Sequence, residues 1–185
     1  MADFTVHPID SAPLPARETL VAVQRTYGFV PNLMGEMAAA PPVLNAYLAL
    51  SEQFGQTSLT PIEQQVVLAT VSVTNGCTYC VAVHSAGLKA AGLPDDQIDA
   101  IRSGRALRDI RLEALRAFTA AAVEQRGRLS DADLRRFHET GYEHEQVLEV
   151  LIGVAMKTLS NYVNHLAHTP LDARFQPFAW ETVTA

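Results

Sequence analysis

Both cysteines of the chain fall in one short run, "NGCTYCVAVHS", residues 75–85, with a histidine four residues after the second. Cys77 and Cys80 are three apart and Cys80 and His84 four apart, so on a helix these side chains can meet along one face. If that helix starts at Cys77, both thiols sit at its N-terminus, where the positive end of the dipole favours thiolate over thiol. A free thiol with a pKa of about 8.5 is only a few per cent ionised at neutral pH. Bringing it to about 6.5 makes most of it thiolate and corresponds to roughly 2.7 kcal/mol. The spacing therefore suits a redox pair. Two plainer readings stand beside it. Cys77, Cys80 and His84 are competent zinc ligands, but no third cysteine offers a fourth ligand. Two cysteines can also serve as small buried hydrophobes.

The surrounding residues say which elements would hold this run. Thr60-Pro61-Ile62-Glu63 is a capping box with proline at the first helical position, a helix start. It opens "PIEQQVVLATVSVTN", whose β-branched stretch "VVLATVSVT" would by propensity alone favour a strand. A thioredoxin-like sheet would need further strands, and "DFTVHPI" is the only other candidate. Residues 61–75 are therefore predicted as a buried helix, followed by a second from 77 to about 91. Pro42 before "VLNAYLALSEQF", Pro94 and Asp95 before "DQIDAIRS", and Ser130 with Asp133 mark further helix starts. The span "LRDIRLEALRAFTAAAVEQRG" reads as an amphipathic helix, and Glu143 to His168 as a central apolar one. Glycines at 28, 55, 76, 92, 104, 127 and 141 punctuate these segments. The expected fold class is all-α, one domain over residues 1–185, with a core motif at 59–92 and a tail at 170–185.

Composition bounds the function. At 185 residues, 48% hydrophobic and 18% charged, the chain can bury a substantial core. Its net charge of −6 argues against nucleic acid as the main partner. No apolar run reaches the length of a membrane span; the best, "VLEVLIGVAM", is short and contains Glu149. "MADFTVHPID" has neither a basic start nor an apolar stretch, so no secretory signal is expected, and a cytoplasmic location follows. In that reducing compartment a C-x-x-C pair is more often catalytic or metal-binding than structural. No glycine-rich strand–turn–helix fingerprint for a flavin or nicotinamide is present, nor a haem site, so no cofactor is expected.

Residues 59–92, "LTPIEQQVVLATVSVTNGCTYCVAVHSAGLKAAG", resemble the core motif of the carboxymuconolactone decarboxylase superfamily. The cysteine pair resembles that of the alkylhydroperoxidase D branch and its peroxidase-related proteins. Upstream, "YGFVPNLMGEMAAAPPVLNAYLAL" resembles the family's lead-in helices, whereas the C-terminal half fits more loosely. The resemblance implies an all-helical fold, assembly into trimers or hexamers, and reduction of organic hydroperoxides. Carried over by position, Cys80 would be the peroxidatic thiolate, Cys77 the resolving thiol, and His84 a member of the proton relay. A thioredoxin analogy would instead make the first cysteine the nucleophile. The implied reductant is a dithiol, either a lipoyl group or a small redox protein. The chain departs from the family at Gln65, where a relay glutamate usually stands. A glutamine orients a histidine or water but takes up no proton at neutral pH.

Candidate site-lining residues are Tyr79, between the cysteines, Glu63, whose first role is the cap, and Asn161 and His165 near the end of the apolar helix. Asn161 pairs with His165, and Asn164 with His168, at four-residue spacing. His138 and His144 are expected in solvent, Arg102, Arg105, Arg108 and Arg111 on a solvated basic face, and Trp180 as an anchor for the tail. The functional expectation is a thiol-dependent peroxidase. A lyase of the same fold is the alternative, and it would keep its activity with both cysteines replaced by serine. A non-enzymatic redox sensor is the third reading, and it would switch on disulfide formation without turnover.

Overall fold

The computed structural model describes residues 4–181, in which every regular element is helical and no strand occurs. In order these are α1 (Leu14–Tyr27), α2 (Asn32–Met37), α3 (Pro41–Gly55), α4 (Pro61–Thr74), α5 (Thr78–Ala90), α6 (Asp95–Arg102), α7 (Ile110–Glu124), α8 (Asp131–Glu139) and α9 (His144–Ala167). Short 3-10 turns precede and follow them, at Ile9–Ser11 and Ala173–Phe178. No described helix is long and apolar enough to cross a membrane.

α4 is the axis of the molecule, packed against α5, α6, α7 and α9. Surroundings on every side explain its composition. Val66, Val67, Leu68, Ala69 and Val71 are all buried, so a β-branched run that alone favours a strand here fills a helix interior. The competition is settled at the N-terminus, where Thr60 and Glu63 form the expected reciprocal capping box. Glu63 is tied further. Its Oε1 accepts from Tyr142 Oη at 2.7 Å and from Arg111 Nε at 3.1 Å, joining α4 to α7 and to the turn before α9.

The turn between α4 and α5 sets the cysteines. Gly76 takes φ +68°, a left-handed conformation that costs glycine nothing. The Gly76 N–H then bonds Val73 O at 2.9 Å, and the Cys77 N–H bonds Ser72 O at 2.9 Å. This is a Schellman closure, and the residue that completes it is the N-cap of the next helix. Cys77 therefore caps α5 and Cys80 lies in its first turn. Asn75 Nδ2 donates to Asn161 Oδ1 at 2.9 Å, which fastens the turn to α9.

The all-α reading holds at the N-terminus, where residues 4–9 form no strand and the His7 N–H donates to Gly35 O, so the segment lies along α2. One expectation is revised. His138 is not in solvent: its Nδ1 lies 2.7 Å from Tyr142 O and its Nε2 is buried, since the ring is tucked beside Phe137.

Candidate active site

Cys80 and Cys77 are both free and both about 1% exposed. Three side chains of α9 meet the Cys80 sulfur. Lys157 Nζ donates to it at 3.2 Å, Asn164 Nδ2 donates at 3.3 Å, and Ser160 Oγ lies 3.9 Å away. Lys157 is itself 1% exposed, and an ammonium so deeply buried requires a counter-charge. The sulfur supplies it. Burial alone would raise the Cys80 thiol, but the Cys77 hydrogen bond and the Lys157 ammonium outweigh it and pull the group down to about 5. Cys77 moves the other way, pushed up by its hydrogen bond with the Cys80 sulfur, by burial and by that neighbour's charge. Burial works against the charge on Lys157 too, yet the Cys80 sulfur holds the ammonium above its ordinary range. The pair is asymmetric, with Cys80 driven down and Cys77 driven up.

His84 lies one turn beyond Cys80 but does not bond the sulfur. Its Nδ1 faces Gln65 Oε1 at 3.1 Å. With the amide oxygen accepting, Nδ1 carries the proton and Nε2 the lone pair; Nε2 is buried without a partner among the described residues. Burial, and then the Lys157 charge, push the imidazole well below its usual range, so it is neutral. Gln65 reaches it by a close approach. A Cβ on Gly87 would come within 2.3 Å of Gln65 Oε1, so glycine there makes room for the amide.

Cys80, His84, Gln65 and Lys157 line one cavity of about 390 Å³. Its other walls are mostly apolar, from Phe29, Leu33, Met34, Leu68, Met156 and Phe175. Tyr47 of α3 also lines it, and its hydroxyl bonds no group among the described residues. Tyr79 contributes its ring, while its hydroxyl donates to Asp172 Oδ2 at 2.5 Å.

Asp172 belongs to a strap that follows α9. Its Oδ1 accepts from the Asn32 N–H at 3.1 Å, and Thr169 Oγ1 donates to Glu36 Oε2 at 2.5 Å. The strap brings Phe175 over the cavity, where Arg174 stacks on Phe29 at 4.6 Å from the ring centre.

The remaining candidates stand apart from the cavity. Glu63 is held in its cap and by Arg111 and Tyr142. Asn161 is buried against Asn75. His165 is exposed and borders a second cleft, which is lined by Cys77. Of the arginines, Arg111 pairs with Glu63, Arg108 with Asp96, and Arg102 donates to Ala179 O. Trp180 lies in a shallow cleft beside Gly76 and Arg102.

Sequence reasoning missed Lys157, Ser160 and Tyr47, and passed over Asn164 as a packing residue. A signal existed for three of them. Lys157 is the sole lysine or arginine in α9, and Ser160 and Asn164 follow at +3 and +7, a polar stripe on an otherwise apolar helix.

Residues 41–124 match the carboxymuconolactone decarboxylase family. The fold is similar to that of an alkylhydroperoxidase AhpD core protein, an uncharacterized peroxidase-related protein from Ralstonia eutropha JMP134. Identity is 23%, coverage 93% of each chain, and TM-score 0.83. It is also similar to an uncharacterized peroxidase-related protein from Silicibacter sp. TM1040, at 20% identity, with 94% of this chain and 93% of that one covered and a TM-score of 0.80. The debrominase Bmp8 shares 18% identity over 96% of both chains, with a TM-score of 0.77. A further structure holds a cysteine-to-alanine variant of Bmp8 in complex with 2,3,4-tribromopyrrole. No curated protein matches the sequence.

Proposed function

From the match of residues 41–124 to the carboxymuconolactone decarboxylase family, and from the AhpD-like helical fold around them, we propose that the protein is a thiol-dependent peroxidase acting on organic hydroperoxides. The observation that carries this reading is the Cys80 thiolate, bonded by Lys157 and Asn164 at the wall of an apolar cavity, with a protonated Cys77 one turn away.

Cys80 Sγ attacks the outer oxygen of the hydroperoxide; an S–O bond forms, the O–O bond breaks, and the alkoxide leaves with the electron pair. The departing alkoxide takes a proton. Lys157 is suited to give it, because the reaction consumes the thiolate that balanced its charge, and a buried ammonium without a partner is costly. The sulfenic acid on Cys80 then condenses with Cys77, releasing water and closing the disulfide. To neutral His84, whose Nε2 is a free acceptor on the cavity that Cys80 lines, we assign the proton released as the pair closes. Gln65 fixes the tautomer that makes this work. In this scheme the glutamine in place of the family's glutamate orients the base and is not one itself. The apolar walls suit a hydrophobic substituent on the hydroperoxide. An external dithiol resets the pair.

The test is a free-thiol count on reduced protein before and after one equivalent of cumene hydroperoxide. The expected result is a rapid fall from two thiols to none, with a monomer mass lower by two hydrogens. Two thiols persisting would sink the reading.

A further inference from the structure

The two cysteines border two different spaces. Cys80 forms part of the wall of the apolar cavity, and Cys77 does not. Cys77 forms part of the wall of a separate cleft of about 350 Å³, and Cys80 does not. That second space has mixed polar and apolar walls, bordered by Thr78, Asn164, His165, His168 and Thr169, with Tyr79 bordering both spaces. Asn164 joins the two. Its Nδ2 donates to the Cys80 sulfur, while its Oδ1, in a side chain 6% exposed, has no partner among the described residues. A buried acceptor left unpaired is costly unless something visits it.

Resting on the peroxidase reading, we propose that the cleft bounded by Cys77, His165 and His168 admits an aliphatic dithiol reductant, which attacks the Cys77 sulfur of the disulfide from that side. The hydroperoxide and the reductant thus enter by separate doors. In the first step the incoming thiolate forms an S–S bond with Cys77 Sγ. The Cys77–Cys80 bond breaks, and its electron pair leaves on Cys80 Sγ. The reductant's second thiolate then attacks its own bonded sulfur, closes a cyclic disulfide and expels Cys77. Two electrons pass from dithiol to cysteine pair. Of the dithiol's two protons, one ends on Cys77 and the other is released. The exposed side chains of His165 and His168 border the cleft, and the proton of the entering thiol leaves to solvent there.

The direction of attack follows from leaving-group chemistry. Exchange runs faster when the expelled sulfur is the more acidic one. Attack on Cys77 expels Cys80 into its place beside Lys157 and Asn164. Attack on Cys80 from the apolar cavity would expel Cys77, a buried sulfur to which no described ammonium is hydrogen-bonded.

The disulfide can be made with diamide, so the test does not require peroxidase activity. Oxidised protein is mixed briefly with 2-mercaptoethanol and quenched with N-ethylmaleimide, and the adducts are located by tandem mass spectrometry. Mercaptoethanol on Cys77 with maleimide on Cys80 is expected; the reverse placement overturns the proposal. In a second arm, His165→Trp narrows the cleft. It should slow reduction by dihydrolipoamide by about tenfold more than it slows oxidation by cumene hydroperoxide, because only reduction needs thiol access to Cys77. Equal slowing of the two half-reactions would count against separate entrances. If cumene hydroperoxide fails to oxidise the thiols at all, the peroxidase reading falls, while the diamide arm still decides which cysteine is attacked.

Discussion

At the residue scale the governing fact is a thiolate and an ammonium placed together in the dark of the core, with Lys157 and Cys80 each about 1% exposed. Because the Cys80 group is held down, it stays ionised as pH falls from the ordinary thiol range and protonates only near about 5. Lys157→Met removes the cation and leaves burial unopposed, so the midpoint should rise. Iodoacetamide modification of Cys80 at pH 6.5 is expected to slow by about tenfold or more, since each unit of pKa above the working pH is a tenfold loss of thiolate. Thiolate absorbance near 240 nm, followed against pH, gives the same answer independently. An unchanged midpoint would show that Cys77 and Asn164 alone hold the charge. Fold stability is a poor witness here, because once the cation is gone Cys80 takes a proton and the cost of a lone buried charge is mixed with the change in thiol titration. The sequence made Cys77, Cys80 and His84 legible because they fall within about two helical turns, where spacing alone implies proximity. Lys157 and Asn164 lie 77 and 84 positions beyond Cys80, and no local spacing links them to it.

Elements were read most securely where a cap fixed an end. The Thr60–Glu63 box decided between helix and strand for α4, and the Ser130–Asp133 box marked α8. What the cap could not announce was its second duty. Glu63 also receives Tyr142 and Arg111, contacts made across the fold. Burial alone would raise its carboxyl, but the hydrogen bonds from Tyr142, Thr60 and Arg111 hold it below the ordinary range. Its stabilising contribution is therefore present above the unfolded-state value and lost as pH falls through the lower folded one. Glu63→Gln should cost about 1–3 kcal/mol at neutral pH and flatten the acid side of a denaturation profile, with thiol reactivity little altered. An identical acid limb in the variant would refute the assignment. Packing between α4 and α5 gives a sharper test. Gly87→Ala drives a methyl toward Gln65 Oε1 and should displace the amide from His84. Overpacking of this kind costs about 1–3 kcal/mol. Disulfide closure should slow while the first attack by Cys80 persists, a split visible as accumulated sulfenic acid trapped with dimedone.

At the scale of the whole molecule, the strap after α9 closes the circuit between the chain's ends and its middle. Tyr79, the residue between the cysteines, is bonded to Asp172, which also holds α2 through the Asn32 N–H. Tyr79→Phe deletes the first link and should cost about 1–3 kcal/mol while leaving the carboxylate one partner short. Faster amide exchange at residues 170–178 would locate the loss; unchanged exchange there would mean that Asn32 suffices. This architecture was the least legible part, because its hydrogen bonds span more than ninety residues and its short 3-10 turn has no periodicity to read. Two spaces that touch different sulfurs have one more consequence. A single vestibule would make hydroperoxide and dithiol compete for the same space. In the proposed scheme, with Cys80 bordering one chamber and Cys77 the other, the disulfide becomes a party wall: electrons cross it, and the molecules that donate and accept them keep to their own sides.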